Sequence, residues 1–180
     1  MSKDLGIVPV LETARLRLRA VRADDLDACA AMLADPHIVR FTGGQTATRE
    51  ESWRKLLGAT GMWMLAGYGY WTVERRETGA CIGYVGFADF KRDMEPSIEG
   101  IPEMGWMFAS HAHGQGYASE AIAAGLVWAD EVLGKQDIVA IINADNAPSI
   151  HVAEKAGFSE RQEALYRGEP ILLFRRPARG

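Results

Sequence analysis

Cysteine is almost absent from this 180-residue chain: Cys29 and Cys81 are the only two. They stand far apart, each inside an apolar stretch, without a CxxC or Cys/His spacing, which excludes a disulfide framework and a zinc finger. Two small buried hydrophobes in a reducing compartment are the expectation. Long apolar runs are missing too, since no segment approaches the ~20 residues of a membrane span. The start, Met1 to Gly6, is not a basic segment followed by the long apolar run of a signal peptide, and Ile7 to Leu11 is short and broken by Pro9. A cytoplasmic protein with no membrane association is therefore expected. Nor is there an excess of positive charge: 20 Lys and Arg against 24 Asp and Glu give a formal net charge of −4, and no general attraction for nucleic acid follows. No internal repeat, low-complexity tract or linker divides the chain. What is present, 48% hydrophobic and 24% charged residues, is the usual make-up of one soluble domain. At this length roughly 70% of the unfolded surface can be hidden, enough for one core without metal or disulfide staples.

The hydrophobic pattern alternates between strand and helix periods. Arg15-Leu16-Arg17-Leu18-Arg19 has the two-residue alternation of a half-buried strand. Leu26, Cys29, Ala30 and Leu33 recur at helical spacing behind Asp24-Asp25, until Asp35-Pro36 stops the run. Thr48 with Glu51 forms a capping box that opens a second helix through Trp53, Leu56 and Leu57, with Gly58 and Gly61 blurring its end. Tyr68 to Arg75 and Cys81 to Phe90 read as a hairpin around Glu77-Thr78-Gly79, followed by a polar loop from Lys91 to Gly100. A strand from Glu103 to Ala109, a long helix ending near Gly134, and a β-branched run from Ile138 to Ile142 follow. The tail holds a short helix from Ala147 to Ala156, the terminator Gly157, a strand from Phe158, and a last strand from Pro170 to Phe174. The order β-α-α-β-β-β-α-β-α-β-β describes one α+β domain with a mixed sheet.

The stretch richest in chemistry is His113-Gly114-Gln115-Gly116-Tyr117-Ala118, placed between a strand and a helix. A helix start carries N–H groups without intrahelical partners and a partial positive charge, and small residues let a phosphate approach the backbone. A pyrophosphate cradle fits this turn, although Gly-x-Gly also serves plain strand-to-helix turns. A P-loop is excluded because the only Gly-Lys pair, Gly134-Lys135, continues with Gln136. A dinucleotide fingerprint would need a small third residue at Ser119 and should open the fold, so a nicotinamide-dependent oxidoreductase stays a weak alternative.

The same stretch resembles the acetyl-CoA loop of the GCN5-related N-acetyltransferase (GNAT) superfamily, Gln/Arg-x-x-Gly-x-Gly/Ala, with Gly116 and Ala118 in place and His113 a departure at the first position. Asn146-Ala147-Pro148-Ser149 and Glu154-Lys155-Ala156-Gly157-Phe158 look like the Asn-x-x-Ser…Lys-x-Gly-Phe segment of the ribosomal-protein N-terminal acetyltransferase (Rim-type) branch. Thr13-x-Arg15-Leu16-x-Leu18-Arg19 is similar to that branch's first strand, and Glu103-x-Gly105-Trp106 to its fourth. The resemblance implies a GNAT-type N-acetyltransferase domain over residues 11–176, between an N-terminal extension (1–10) and a C-terminal tail (177–180). It implies a mixed, mostly antiparallel sheet of about seven strands with helices on both faces. It also implies acetyl-CoA as donor, no metal, and an amine acceptor that is either a small molecule or a protein N-terminus; a homodimer is possible by the same analogy.

Residue by residue, the resemblance and the chemistry point to the following roles. Acetyl transfer needs a neutral amine, a polarised thioester carbonyl and a partner for the departing thiolate. Glu103, among Met104, Trp106 and Phe108, is the expected proton acceptor, with apolar surroundings raising its pKa; the alternative is a solvent-facing strand carboxylate. Many GNAT enzymes carry a tyrosine seven residues after the motif asparagine, where this chain has Ala153, so Ser149 becomes the candidate thiolate partner, with a plain helix cap as its other reading. Cofactor contacts are expected at Phe108 and Ala109, at His113, Gly114, Gly116, Ala118 and Ser119, and at Asn143, Asn146 and Ser149. The two asparagines serve turns and caps equally well. The missing tyrosine and the substituted His113 keep a non-catalytic acyl-CoA-binding module as an alternative function.

Overall fold

The computed structural model describes residues 8–178. The first seven residues of the expected extension, and Arg179 and Gly180 of the tail, lie outside the described residues. The strands are β1 (Leu11–Glu12), β2 (Leu16–Arg19), β3 (Tyr70–Arg75), β4 (Cys81–Ala88), β5 (Met94–Glu95), β6 (Glu103–Phe108), β7 (Ile138–Ile142), β8 (Glu160–Tyr166) and β9 (Glu169–Arg176). The helices are α1 (Leu26–Ala34), α2 (Pro36–Val39), α3 (Arg49–Ala66), α4 (Tyr117–Val132) and α5 (Ala147–Lys155).

All nine strands join one sheet in the order β1-β2-β3-β4-β6-β7-β9-β8-β5. The expected count of about seven strands is thus corrected to nine. Both additions are two-residue strands: β1 pairs with β2, and β5 lies in the segment read as a polar loop and pairs with β8. That loop is not simply solvated, because Met94 and Ile98 are buried beside Val139, Ala164 and Leu173. A two-residue strand has too short a period to register as alternation, and Met94 and Ile98 are isolated among polar neighbours.

Two glycines inside α3 do not end it. Its start has the full Thr48–Glu51 capping box, it runs to Ala66, and Gly67 closes it at φ 75°. Pro36, expected only to stop α1, also opens the short α2 at its first turn, capped by Asp35.

The core has an aromatic centre on one face of the sheet. Trp63, Trp71 and Trp128 meet edge to face, with ring centroids 4.8–5.4 Å apart, and Phe87 stacks on Trp128. α4 lies on this face, where Gly125 lets Met104, Phe87 and Trp71 approach the helix. On the opposite face Cys29 and Leu33 of α1 and Leu56 of α3 form a second cluster over Tyr84 and Met107. Side chains alternate across a strand, so Met104, Trp106 and Phe108 of β6 face α4, whereas Glu103, Gly105 and Met107 face the α1–α3 side. Cys29 is buried and Cys81 half-buried, and both are free thiols.

Candidate active site

One interruption in the sheet defines the site. β6 runs parallel to β7, and their single register pair is Glu103 with Val139. On its other edge β6 pairs continuously with β4 from Glu103 to Phe108, and β7 pairs with β9 along its whole length. The two strands therefore part beyond Glu103 and leave an opening in the sheet. Val139 N–H donates to Pro102 C=O at 3.0 Å. Since peptide groups alternate sides along a strand, those of Trp106 and Phe108 turn toward that opening.

The chain leaves β6 at the wide end of the opening and enters the glycine turn. Gly114 and Gly116 take left-handed backbone conformations, φ 72° and 78°, which explains both glycines independently of any ligand. Gly116 precedes α4 without a side-chain cap. Among the described residues, no acceptor pairs with the N–H groups of Gly114, Gln115, Gly116, Tyr117, Ala118 or Ser119. Six consecutive donors at the positive end of a four-turn helix suit an anion. His113 takes no part in this row of donors: its Nε2 lies 2.9 Å from Phe108 C=O and ties the base of the turn to the end of β6.

A second set of contacts fixes the turn from outside. Glu120, in the first turn of α4, accepts from Thr13 Oγ1 (2.6 Å), Arg15 N–H (3.0 Å) and Arg15 Nε (2.7 Å). Arg15 also donates to Gln115 C=O at 2.9 Å, and its guanidinium lies 4.5 Å from the centre of the Tyr117 ring. Burial acts against the Glu120 charge, but the Thr13 and Arg15 donors outweigh it and hold this carboxyl below the usual carboxylate range. Gln115 C=O is thereby drawn toward Arg15. Thr13 and Arg15 belong to a motif that the sequence shows only as a strand signature, and their contact with Glu120 crosses more than a hundred residues.

At the closed end of the opening, Glu103 is buried, with 4% of its surface exposed, which removes the reading as a solvent-facing carboxylate. Its surroundings are not the apolar ones expected. Arg92 donates to both carboxylate oxygens, Nε at 2.5 Å and a terminal nitrogen at 2.8 Å. The guanidinium sits between the rings of Phe90 and Tyr166, 4.7 and 4.8 Å from their centres. Arg92 lies in the segment read as a plain polar loop, and no local pattern marks it as a partner of Glu103.

Across the opening, β7 leads into α5. Asn146 caps this helix by accepting from Ser149 N–H at 3.3 Å, and Asn143 accepts from Asp145 N–H at 2.9 Å. The cap reading of Ser149 is therefore corrected: Asn146 holds that position, and Ser149 contributes only its N–H. The Ser149 hydroxyl is half-buried and has no partner among the described residues. Ala153, at the position where the resembled family carries a tyrosine, is fully buried in the core. Of the other expected contacts, Phe108 and Ala109 are buried, while Ala118 and Ser119 are half-exposed at the start of α4.

Comparison with known proteins decides the family. The family model of the acetyltransferase (GNAT) domain matches residues 15–159, a span holding Glu103, the glycine turn and Ser149. The chain is a GNAT acetyltransferase. An uncharacterized N-acetyltransferase of Bacillus subtilis, YoaA, is 30% identical over 170 residues, covering 90% of this chain and 92% of that one. A solved GnaT-family acetyltransferase from Bordetella pertussis is 31% identical with a TM-score of 0.81, covering 93% and 99% of the two chains. The fold is also that of RimL, the ribosomal L7/L12 alpha-N-protein acetyltransferase, solved with coenzyme A (16% identity, TM-score 0.71, 94% and 98% covered). Acetyl-CoA is the donor for a GNAT acetyltransferase. The open row of N–H groups, the room at the two left-handed glycines and the parted strands fit such a ligand.

Proposed function

We propose that the chain passes an acetyl group directly from acetyl-CoA to an amine, a protein N-terminus or a small molecule, within a ternary complex at the opening between β6 and β7. The observation that carries this reading is the row of six unpaired N–H groups at one end of an opening whose other end holds the buried Glu103 carboxylate. The pyrophosphate is bound at Gly114, Gly116, Ala118 and Ser119, with His113 shaping the turn through Phe108 C=O. The pantetheine arm follows the Trp106 and Phe108 peptide groups past Ala109 on one side and the Asn143 and Asn146 amides on the other. Acetyl-CoA supplies the acetyl group as a thioester. Glu103 receives the proton that the amine sheds, directly or through water, since each carboxylate oxygen keeps a lone pair beyond its Arg92 bond. Ser149 donates a hydrogen bond to the leaving sulfur. A protein N-terminus is favoured among acceptors by the structural likeness to RimL, a ribosomal-protein N-terminal acetyltransferase.

The test is release of free CoA from acetyl-CoA with Ser-, Ala- and Met-starting peptides and with polyamines. Glu103→Gln should lower the rate on the best acceptor roughly 10²- to 10⁴-fold, the worth of a general base, with acetyl-CoA binding retained. Tight acetyl-CoA binding with no CoA release on any amine would favour the non-catalytic acyl-CoA-binding module. An unchanged pH–rate profile in the Gln variant would remove Glu103 from the proton path.

A further inference from the structure

Tyr70 begins β3 and pairs with Gly86 of β4, and Gly86 pairs in turn with Gly105 of β6. Two glycines on neighbouring strands clear a path across the sheet, and the Tyr70 side chain follows it. A methyl group added at Gly105 would collide with the Tyr70 hydroxyl and lie 3.2 Å from ring carbon Cζ. The hydroxyl thus lies over the middle of β6, next to the opening. Tyr70 is held there from behind, because Trp63 Nε1 donates to its carbonyl at 3.0 Å and Gly69 C=O accepts from Phe87 N–H at 3.1 Å. The Phe90 ring, 6.4 Å away centre to centre, flanks it.

The hydroxyl has no hydrogen-bond partner among the described residues, and Tyr70 is half-buried rather than sealed in the core, so its oxygen is open to a ligand. The face matters as much as the depth. Gly105 and Glu103 share the α1–α3 side of the sheet, while α4 and α5, which bring the glycine turn and Ser149, pack into the core on the opposite side. A donor seated on the α4 side and an acceptor arriving on the other would meet at the opening, with Tyr70 and Glu103 both on the acceptor's side.

We propose that Tyr70 is a catalytic residue on the acceptor side of this site, its hydroxyl oxygen accepting a hydrogen bond from the attacking amine and aiming the nitrogen lone pair at the acetyl carbonyl. The inference rests on the reading of the opening as the acetyl-CoA site. In the step itself the N–C bond forms, the C–S bond breaks, the amine's proton goes to Glu103 and the electron pair leaves with sulfur; Tyr70 keeps its own proton throughout. Burial first and the neighbouring Glu103 charge second push the phenol's ionisation upward, so it stays neutral at the pH of the reaction.

The test needs no knowledge of the natural acceptor. Coenzyme A carrying S–CH2–CO–NH–ethyl places a coenzyme, an acetyl unit and an amine-derived N–H in one molecule, and its binding is compared with that of acetyl-CoA by calorimetry. Tyr70→Phe should keep the parent's melting temperature and its acetyl-CoA affinity within about twofold, yet bind the amide probe roughly 3- to 10-fold more weakly, as for one lost hydrogen bond. Gly105→Ala, which retains the hydroxyl but displaces it, should show the same selective loss. Equal losses for both ligands, or no loss for the probe, would overturn the assignment. If the parent itself fails to bind acetyl-CoA, the reading of the opening fails first, and this inference with it.

Discussion

Two helices begin on opposite sides of the opening, and they begin differently. The α5 start is closed: Asn146 accepts the Ser149 N–H, Asn143 accepts the Asp145 N–H, and Pro148 has no donor to satisfy. The α4 start is open, with no side-chain cap, a left-handed glycine before its first residue, and unpaired N–H groups from Gly114 to Ser119. Glycine at the cap position costs only about a few tenths of a kcal/mol against a capping side chain, so α4 can leave these donors open to a ligand with little loss of stability. The difference fits the separate tasks proposed for the two ends, α4 for the charged part of the donor and α5 as a mount for Ser149.

The strongest way to break that contrast is Gly116→Val. The site has room, since the nearest atom to an added Cβ is Arg15 Nη2 at 3.5 Å. The cost is the left-handed backbone, about 1–2 kcal/mol of stability for a residue with a side chain. Affinity for acetyl-CoA should fall much further, by roughly 10²-fold or more, the worth of one or two charge-assisted hydrogen bonds. Calorimetry on samples that still melt cooperatively checks it; unchanged binding would remove the turn from the phosphate site.

The α5 side is sharpened by a pair of variants. Ser149→Ala should leave melting untouched and slow turnover by about 10²-fold, as for the loss of one donor to a developing negative charge. Asn146→Ala should lose about 0.5–2 kcal/mol of stability, as an emptied cap does, and should also weaken acetyl-CoA binding through the lost amide. Melting curves and turnover on both proteins decide the matter, and a fully active Ser149→Ala protein would end the catalytic reading of that hydroxyl.

The smallest effect is one of pH. Glu120 is held below its reference value of 4.5 in the folded protein, so its contribution is fully present above that pH and is lost as pH falls through the lowered value. Asp25, paired with the buried Arg19, behaves in the same sense. The α5 cap is a neutral amide and adds no such acid limb. Melting temperature followed from pH 6 to 3 should therefore drop less steeply in Glu120→Gln than in the parent, although the variant starts lower at pH 6. Parallel curves would show that the Thr13–Arg15–Glu120 contact does not anchor the turn.

Legibility followed range. The Thr48–Glu51 box, the β-branched Ile138–Ile142 strand, the glycine turn and the Asn146-to-Phe158 segment are each written within a few residues, where period, capping chemistry and backbone freedom act locally. The last two of these, together with Thr13-to-Arg19 and Glu103-to-Trp106, were enough to give the fold and the donor. Asp25 marks the limit. As a sequence position it is an acidic first-turn residue, but folding buries it, and Arg19 donates to both of its oxygens at 2.8 and 2.9 Å.

What only the tertiary structure decided is which polar groups are brought together, since that follows from how the chain packs rather than from local spacing. The Tyr70 hydroxyl over Gly105 depends on the register of β3, β4 and β6, while Arg92 on Glu103 and Arg15 on Glu120 depend on where a loop and α4 come to lie against the sheet; no local period encodes these neighbours. Burial makes the Arg92–Glu103 pairing obligatory, because a charge taken out of water must find compensation. The residue types that serve acetyl transfer can be read from the chain; which of them meet, and on which face of the sheet, follows from how the strands line up.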